Sequence, residues 1–157
     1  MKWTAVFAVA AALVCLAPAE TARADCPPGW DNVNDETEAV LCFHFRRAKA
    51  TWDATLSYCN ALGGILAKLT DTLHQKILRH IGEESEAFWI GGTDLSVEGR
   101  WVWVNDGSEI PKGPPHWFLC DNEPQGGSKK NCLCLFPPDF YFHACTCDHL
   151  YYGICQL

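Results

Sequence analysis

No Asn-x-Ser/Thr triplet occurs anywhere in the 157 residues, so the chain carries no acceptor for N-glycosylation. Neither Gly-x-Ser-x-Gly nor His-Glu-x-x-His occurs, which removes two common marks of serine and zinc hydrolases. Basic residues are scarce: 12 Lys and Arg stand against 19 Asp and Glu, a formal net charge of −7. A chain this acidic is repelled by nucleic acid and by anionic membranes, and neither is expected as a partner. After the N-terminal segment no apolar run reaches the length of a bilayer span, so no membrane anchor is expected. Repeats and low-complexity tracts are missing as well.

Cysteine, in contrast, is abundant, with ten residues. Met1 to Ala24 reads as a secretory signal: Lys2, an apolar run from Thr4 to Pro18, then the small-x-small pattern Ala22-Arg23-Ala24. Ala17-Pro18-Ala19 is a weaker alternative cut. Cleavage after Ala24 takes Cys15 away and leaves one domain, residues 25–157, destined for the extracellular space. In an oxidising compartment this cysteine density means disulfides. The number left is odd, so at least one thiol stays free or joins another molecule.

The middle of the chain reads Phe88-Trp89-Ile90-Gly91-Gly92-Thr93-Asp94, then Glu98-Gly99, the alternating Trp101-Val102-Trp103-Val104 and the turn Asn105-Asp106-Gly107. This predicts two strands anchored by aromatic residues, a core and not a reactive centre. Upstream, a strand near Trp30 and a return strand around Phe43 form a hairpin that Cys26 and Cys42 would staple. Thr51 caps a helix running to about Leu62, ended by Gly63-Gly64, with Trp52, Leu56 and Cys59 on its buried face. Thr70 or Asp71 caps a second helix bearing Leu73, Ile77 and Ile81, with Gly82 beyond. His74 and His80 on this helix are expected at the surface. From Pro111 to about Lys130 no periodicity is visible, and a loop of that length is the expected place for a binding site. Cys132 to Leu135 and Phe140 to Cys147 read as strands around Pro137-Pro138-Asp139, and Tyr151 to Cys155 as the last strand.

Several of these stretches carry a family resemblance. Trp89-Ile90-Gly91, Gly92-Thr93-Asp94, Glu98-Gly99 and Trp101-Val102-Trp103 resemble the centre of a C-type lectin-like domain. So do Thr51-Trp52-Asp53-Ala54 to Cys59, Leu62-Gly63-Gly64 with Leu66-Ala67, and Cys147 to Cys155 with Gly153-Ile154. Motifs in the right order cover nearly all of residues 25–157. The resemblance implies an α+β, disulfide-stapled fold of two helices, a small antiparallel sheet and a long loop region, in its long form with an added N-terminal hairpin. It also implies bridges Cys59–Cys155 and Cys132–Cys147, with Cys26–Cys42 as the long-form addition.

Cys120, Cys134 and Cys145 are extra to that pattern. If Cys132 faces Cys147 across an antiparallel hairpin, Cys134 faces Cys145 on the same side, which suggests a fourth bridge. Cys120 would then be left for an intermolecular bond, giving a disulfide-linked homodimer. The competing arrangement ties Cys120 to Cys134 or Cys145.

In the sugar-binding members that this chain resembles, a calcium ion held by acids and amides grips vicinal sugar hydroxyls. Here the expected acid-Pro-amide element is Glu123-Pro124-Gln125, Lys130 stands where an acid is expected, and Phe142-His143-Ala144 replaces Trp-Asn-Asp. Asp94 and Glu98 match an auxiliary calcium site that also uses the acid replaced by Lys130. With Asp94, Glu98 and Glu123 as remnants of the calcium positions, and a cation among them, calcium is disfavoured, though open, and no other cofactor is expected. As turn and strand-cap residues, Asp94 and Glu98 have a plain structural role. Glu123, Gln125, Lys130 and His143 are the candidate ligand-binding residues.

His143, His149 and Asp148 offer no nucleophile motif, and an enzyme is not expected. The leading expectation is a secreted lectin-like protein recognising glycans or microbial surfaces in innate immunity, without the usual calcium site. One alternative is a protein-binding module with Trp117, Phe118, Phe140, Tyr141 and Phe142 as aromatic anchors. A less favoured one is adsorption to ice or mineral.

Overall fold

Thr51 opens the first helix as expected, its hydroxyl accepting from the amide of Ala54 at 3.3 Å. The computed structural model of the protein describes residues 25–34 and 39–157. The expected signal segment and Cys15 lie outside these residues.

The elements in chain order are β1 (Asp31–Asn32), β2 (Cys42–Ala50), α1 (Trp52–Ala61), β3 (Ile65–Leu66), α2 (Asp71–Ile81), β4 (Phe88–Thr93), β5 (Val102–Trp103), β6 (Cys132–Phe136), β7 (Tyr141–Cys145) and β8 (Tyr151–Gln156). A single 3-10 turn, Gly127–Lys129, punctuates the long loop. The sheet order is β1-β2-β8-β4-β6-β7, with β3 also on β8 and β5 on β4. The sheet is mixed, because β4 pairs β8 in parallel while its other contacts are antiparallel. The expected antiparallel sheet is therefore larger and carries one parallel seam.

Alternation along the strands divides the interior in two. On one face Phe43, Phe45, Phe88, Ile90, Leu133, Leu135, Phe142 and Ile154 pack with Leu73, Ile77 and Ile81 of α2. On the other, Trp89, Cys132, Cys134 and Cys155 pack with Trp52 and Cys59 of α1. The indole N–H of Trp52 donates to Ile90 O at 2.9 Å, and that of Trp89 to Ala50 O at 2.9 Å, so neither ring buries an orphaned donor. Gly91 is required by close packing: a Cβ there would stand 2.6 Å from Leu66 O.

Several expectations need correction. The buried face of α1 is Trp52, Thr55 and Cys59, with Leu56 only partly covered; Thr55 is drawn in because Gly153 of β8 leaves room for its methyl group. His74 is fully buried, not at the surface, while His80 is exposed and stacks on Phe45. Trp117, Phe140 and Phe142 are core residues, which leaves only Phe118 and Tyr141 of the proposed anchors in view of solvent.

Among the described residues four disulfides are formed, Cys26–Cys42, Cys59–Cys155, Cys132–Cys147 and Cys134–Cys145, and Cys120 is free and exposed. The hairpin register, however, differs by two residues from the one used to suggest the fourth bridge. Cys132 faces Cys145 and Cys134 faces His143. A shift of two preserves which side of the sheet a residue occupies, so Cys134 and Cys145 still share a face. Their bridge runs diagonally, over a Cα separation of 6.2 Å.

Candidate binding groove

The period-two alternation that puts Leu133, Leu135, Phe142 and Ala144 into one core puts Cys134, Phe136, Tyr141, His143 and Cys145 on the opposite face. The two hairpin cystines pave that face. Beyond them, between the hairpin and the long loop, lies a groove of about 460 Å³. Glu123, Gln125 and Lys130 from the loop and His143 from β7 all line it, so the four candidate residues are brought together.

Glu123 organises the wall. Only 8% of it is exposed, and its Oε2 accepts from the amides of Ala144 and Gln125, each at 3.0 Å. Its Oε1 lies 3.6 Å from His143 Nδ1. Burial alone would raise the carboxyl, but the His143 ring and the two amides outweigh it and hold the group below its usual range. The carboxylate thus clips the loop to β7 through protein donors.

His143 lies between two aromatic rings, with Phe118 stacked at 4.9 Å and Phe136 at 5.5 Å between centroids. Tyr151 meets Phe136 at 6.2 Å, and its hydroxyl bonds His149 Nδ1 at 2.9 Å. Burial pushes the Tyr151 phenol up, so it stays protonated as a hydrogen-bonding group. Asp121 and Asp139 complete the polar rim. Phe136, Tyr151, Asp121 and Asp139 are groove residues that the sequence does not single out for binding, and Phe118 is expected there only as an anchor for a protein partner. Alternation from Cys134 to Phe136 and from Cys145 to His143 is the signal that could have found the hairpin members.

Asp94 and Glu98 lie elsewhere, around a cavity of only about 40 Å³. Asp94 Oδ2 accepts from the Gly99 amide at 2.9 Å, a turn-closing role, whereas Oδ1 is buried without a partner. Lys112 and Lys130 line the same cavity, and Gln125 and Lys130 face both spaces. Calcium takes six to eight oxygens with negative charge among them. Glu123 is already occupied by amide donors, Ala144 offers no side-chain oxygen, His143 offers nitrogen, and Lys112 and Lys130 share the cavity with Asp94. These residues do not fit calcium. Among the described residues no group of three or more His, Cys, Asp or Glu is arranged to hold a metal ion.

The described residues form a disulfide-stapled α+β domain with a groove walled by its long loop. The family described as Lectin C-type domain matches residues 48–157, and the chain belongs to it. It is similar to the galactose-specific lectin nattectin of Thalassophryne nattereri, 32% identical over 133 residues, covering 76% of this chain and 80% of that protein. A perlucin-like protein of Mytilus galloprovincialis is 27% identical over 130 residues, covering 80% and 74%. Among solved structures, the mouse scavenger receptor C-type lectin carbohydrate-recognition domain superposes with a TM-score of 0.69 at 26% identity, covering 84% of this chain and 95% of that one. A calcium-independent type II antifreeze protein gives 0.68 at 25% identity, covering 84% and 93%. No helix among the described residues is long and apolar enough to cross a membrane.

Proposed function

We propose that this protein is a secreted, non-catalytic lectin that binds glycans, including those of microbial surfaces, in the groove between the long loop and the β6–β7 hairpin, without a calcium ion. The observation that carries the reading is the convergence of Gln125, Lys130 and His143 with the Phe118, Phe136 and Tyr151 rings in one groove. Sugars present hydroxyls on their edges and an apolar C–H face. Aromatic rings beside amide, ammonium and imidazole groups match both at once. Glu123 acts behind this surface as the clip that shapes it.

The similarity to a galactose-specific lectin and to a carbohydrate-recognition domain supports glycan binding. The calcium-independent antifreeze neighbour supports a use of this fold without the ion. The protein-binding alternative loses most of its anchors, because Trp117, Phe140 and Phe142 are buried.

A glycan array probed in calcium and again in chelator tests the reading. The expected result is a set of glycans captured equally in both conditions and lost in Lys130→Ala and Phe136→Ala. Binding that requires calcium, or no glycan captured in either condition, overturns it.

A further inference from the structure

We propose that His74, His116 and Asp71 form a proton-operated lock that fastens the long loop to α2, so that the wall of the groove is held near neutral pH and released in acid. For ligand release this rests on the groove reading above; for loop order it does not.

His74 is fully buried in the second turn of α2. Its Nε2 lies 2.9 Å from Phe140 O and its Nδ1 lies 2.9 Å from Nδ1 of His116. A carbonyl only accepts, so Nε2 of His74 carries the hydrogen. Burial, aided by the neighbouring His116, pushes His74 down to about 4, so near neutrality its Nδ1 is bare. His116 Nδ1–H must therefore donate to it. On the far side of the ring, His116 Nε2 is 2.5 Å from Asp71 Oδ1. The contacts thus run from Asp71 to His116, from His116 to His74 and from His74 to Phe140, joining α2, the loop and the hairpin turn.

The lock adjoins the groove through the backbone. Phe142 N donates to His116 O at 2.8 Å, Phe118 N to Phe142 O at 3.2 Å, and Glu123 N to Phe118 O at 3.2 Å. Both imidazoles pack on the Phe142 ring, at 5.2 and 4.8 Å. The other charges lining this cavity are engaged elsewhere: Lys68 with Asp106 at 2.6 Å, and Glu109 with Arg100 at 2.9 Å. Phe140 and Phe142 bring no charge.

In acid, a second proton on His74 sets two N–H groups against each other across 2.9 Å, and the loop must part from the helix.

Amide hydrogen exchange of residues 112–122 in the protein from Asp25 onward, corrected for intrinsic rates, tests this from pH 4 to 9. With His74 ordinarily near 6.5 and held at about 4 in the fold, opening should increase about tenfold per pH unit as pH falls between those values, about 300-fold in all. Asp71 is exposed, so Asp71→Asn should fold. Its amide can still bond His116, and because the acid limb belongs to His74 it should persist in this variant. Nitrogen-edge NMR of the imidazoles should find the His74 hydrogen on Nε2. Loop exchange that does not rise as pH falls from 6.5 to about 4, loss of the acid limb in Asp71→Asn, or a hydrogen on His74 Nδ1 at neutral pH overturns the lock. If the loop opens in acid but glycan capture does not follow, the groove reading fails and the lock stands.

Discussion

Glu123→Ala removes the carboxylate that clips the long loop to β7. In the wild type its Oε2 accepts two amide hydrogens, those of Gln125 and Ala144, each at 3.0 Å. A buried donor left without a partner costs about 1–3 kcal/mol, so two give roughly 2–6 kcal/mol. Water entering from the groove offsets part of this, and a loss of about 3 kcal/mol is expected. Glu123→Gln keeps one oxygen able to accept both amides and offers a donor to His143, but loses the charge that strengthens these bonds. About 1–2 kcal/mol is expected there. The sign of the pH dependence follows from the same contacts. Because the folded carboxyl is held below its ordinary value of 4.5, Glu123 stabilises the fold above that value and its contribution is lost as pH falls through the depressed one. Glu123→Gln should remove that part of the acid sensitivity. Urea unfolding followed by tryptophan fluorescence, with the disulfides intact, reads both variants. A Glu123→Ala protein within about 0.5 kcal/mol of wild type, the range of an ordinary surface substitution, would refute the clip.

Three other outcomes are expected. Millimolar calcium should leave Tm unchanged, whereas a saturating ligand at a hundred times its Kd would add about 2.7 kcal/mol; Lys130→Glu with His143→Asn and Ala144→Asp should bring a calcium-dependent rise in Tm, and a wild-type rise reversed by chelator would contradict the calcium-free reading. The exposed Cys120 thiol should couple two copies, so non-reducing electrophoresis should show twice the monomer mass for wild type and the monomer for Cys120→Ser; a monomer with one alkylatable thiol rules the dimer out. Trp52→Phe should cost about 1–3 kcal/mol, because Ile90 O loses its indole donor in the interior, and an unaltered unfolding midpoint would contradict that assignment.

Helix limits and strand order were legible because they rest on local chemistry: a Thr cap, Gly stops, and aromatic strands closed by Asn-Asp-Gly. The errors arose where a partner distant in sequence decides. Thr55 is buried because Gly153, nearly a hundred residues away, lacks a side chain to exclude it. The single column Leu73, Ile77, Ile81 leaves His74 outside the apolar stripe and so predicts it at the surface. A helical stripe also includes positions three and four apart, and His74, Ile77, Leu78 and Ile81 form the other half of the same buried face. Its imidazole enters the core because Phe140 O and His116 satisfy both nitrogens, and neither partner is visible from the helix alone.

The loop shows the complementary limit. Residues 111–130 lack periodicity, and their aromatics were read as a surface. Yet Trp117 packs against Trp101 at 5.2 Å, and its indole donates to Pro111 O at 2.9 Å. Period two along β7 separates Phe142, which faces that core, from Tyr141 and His143 on the opposite face, where His143 lines the groove. The loop is therefore held from both sides of the sheet. Beneath the sheet His116 joins α2, and on the groove side Glu123 accepts the Gln125 and Ala144 amides. The hairpin cystines hold the strands against which it packs. Protein donors and covalent ties account for the position of this wall at each of those points, and Lys130 is left facing the groove with its ammonium available to a ligand.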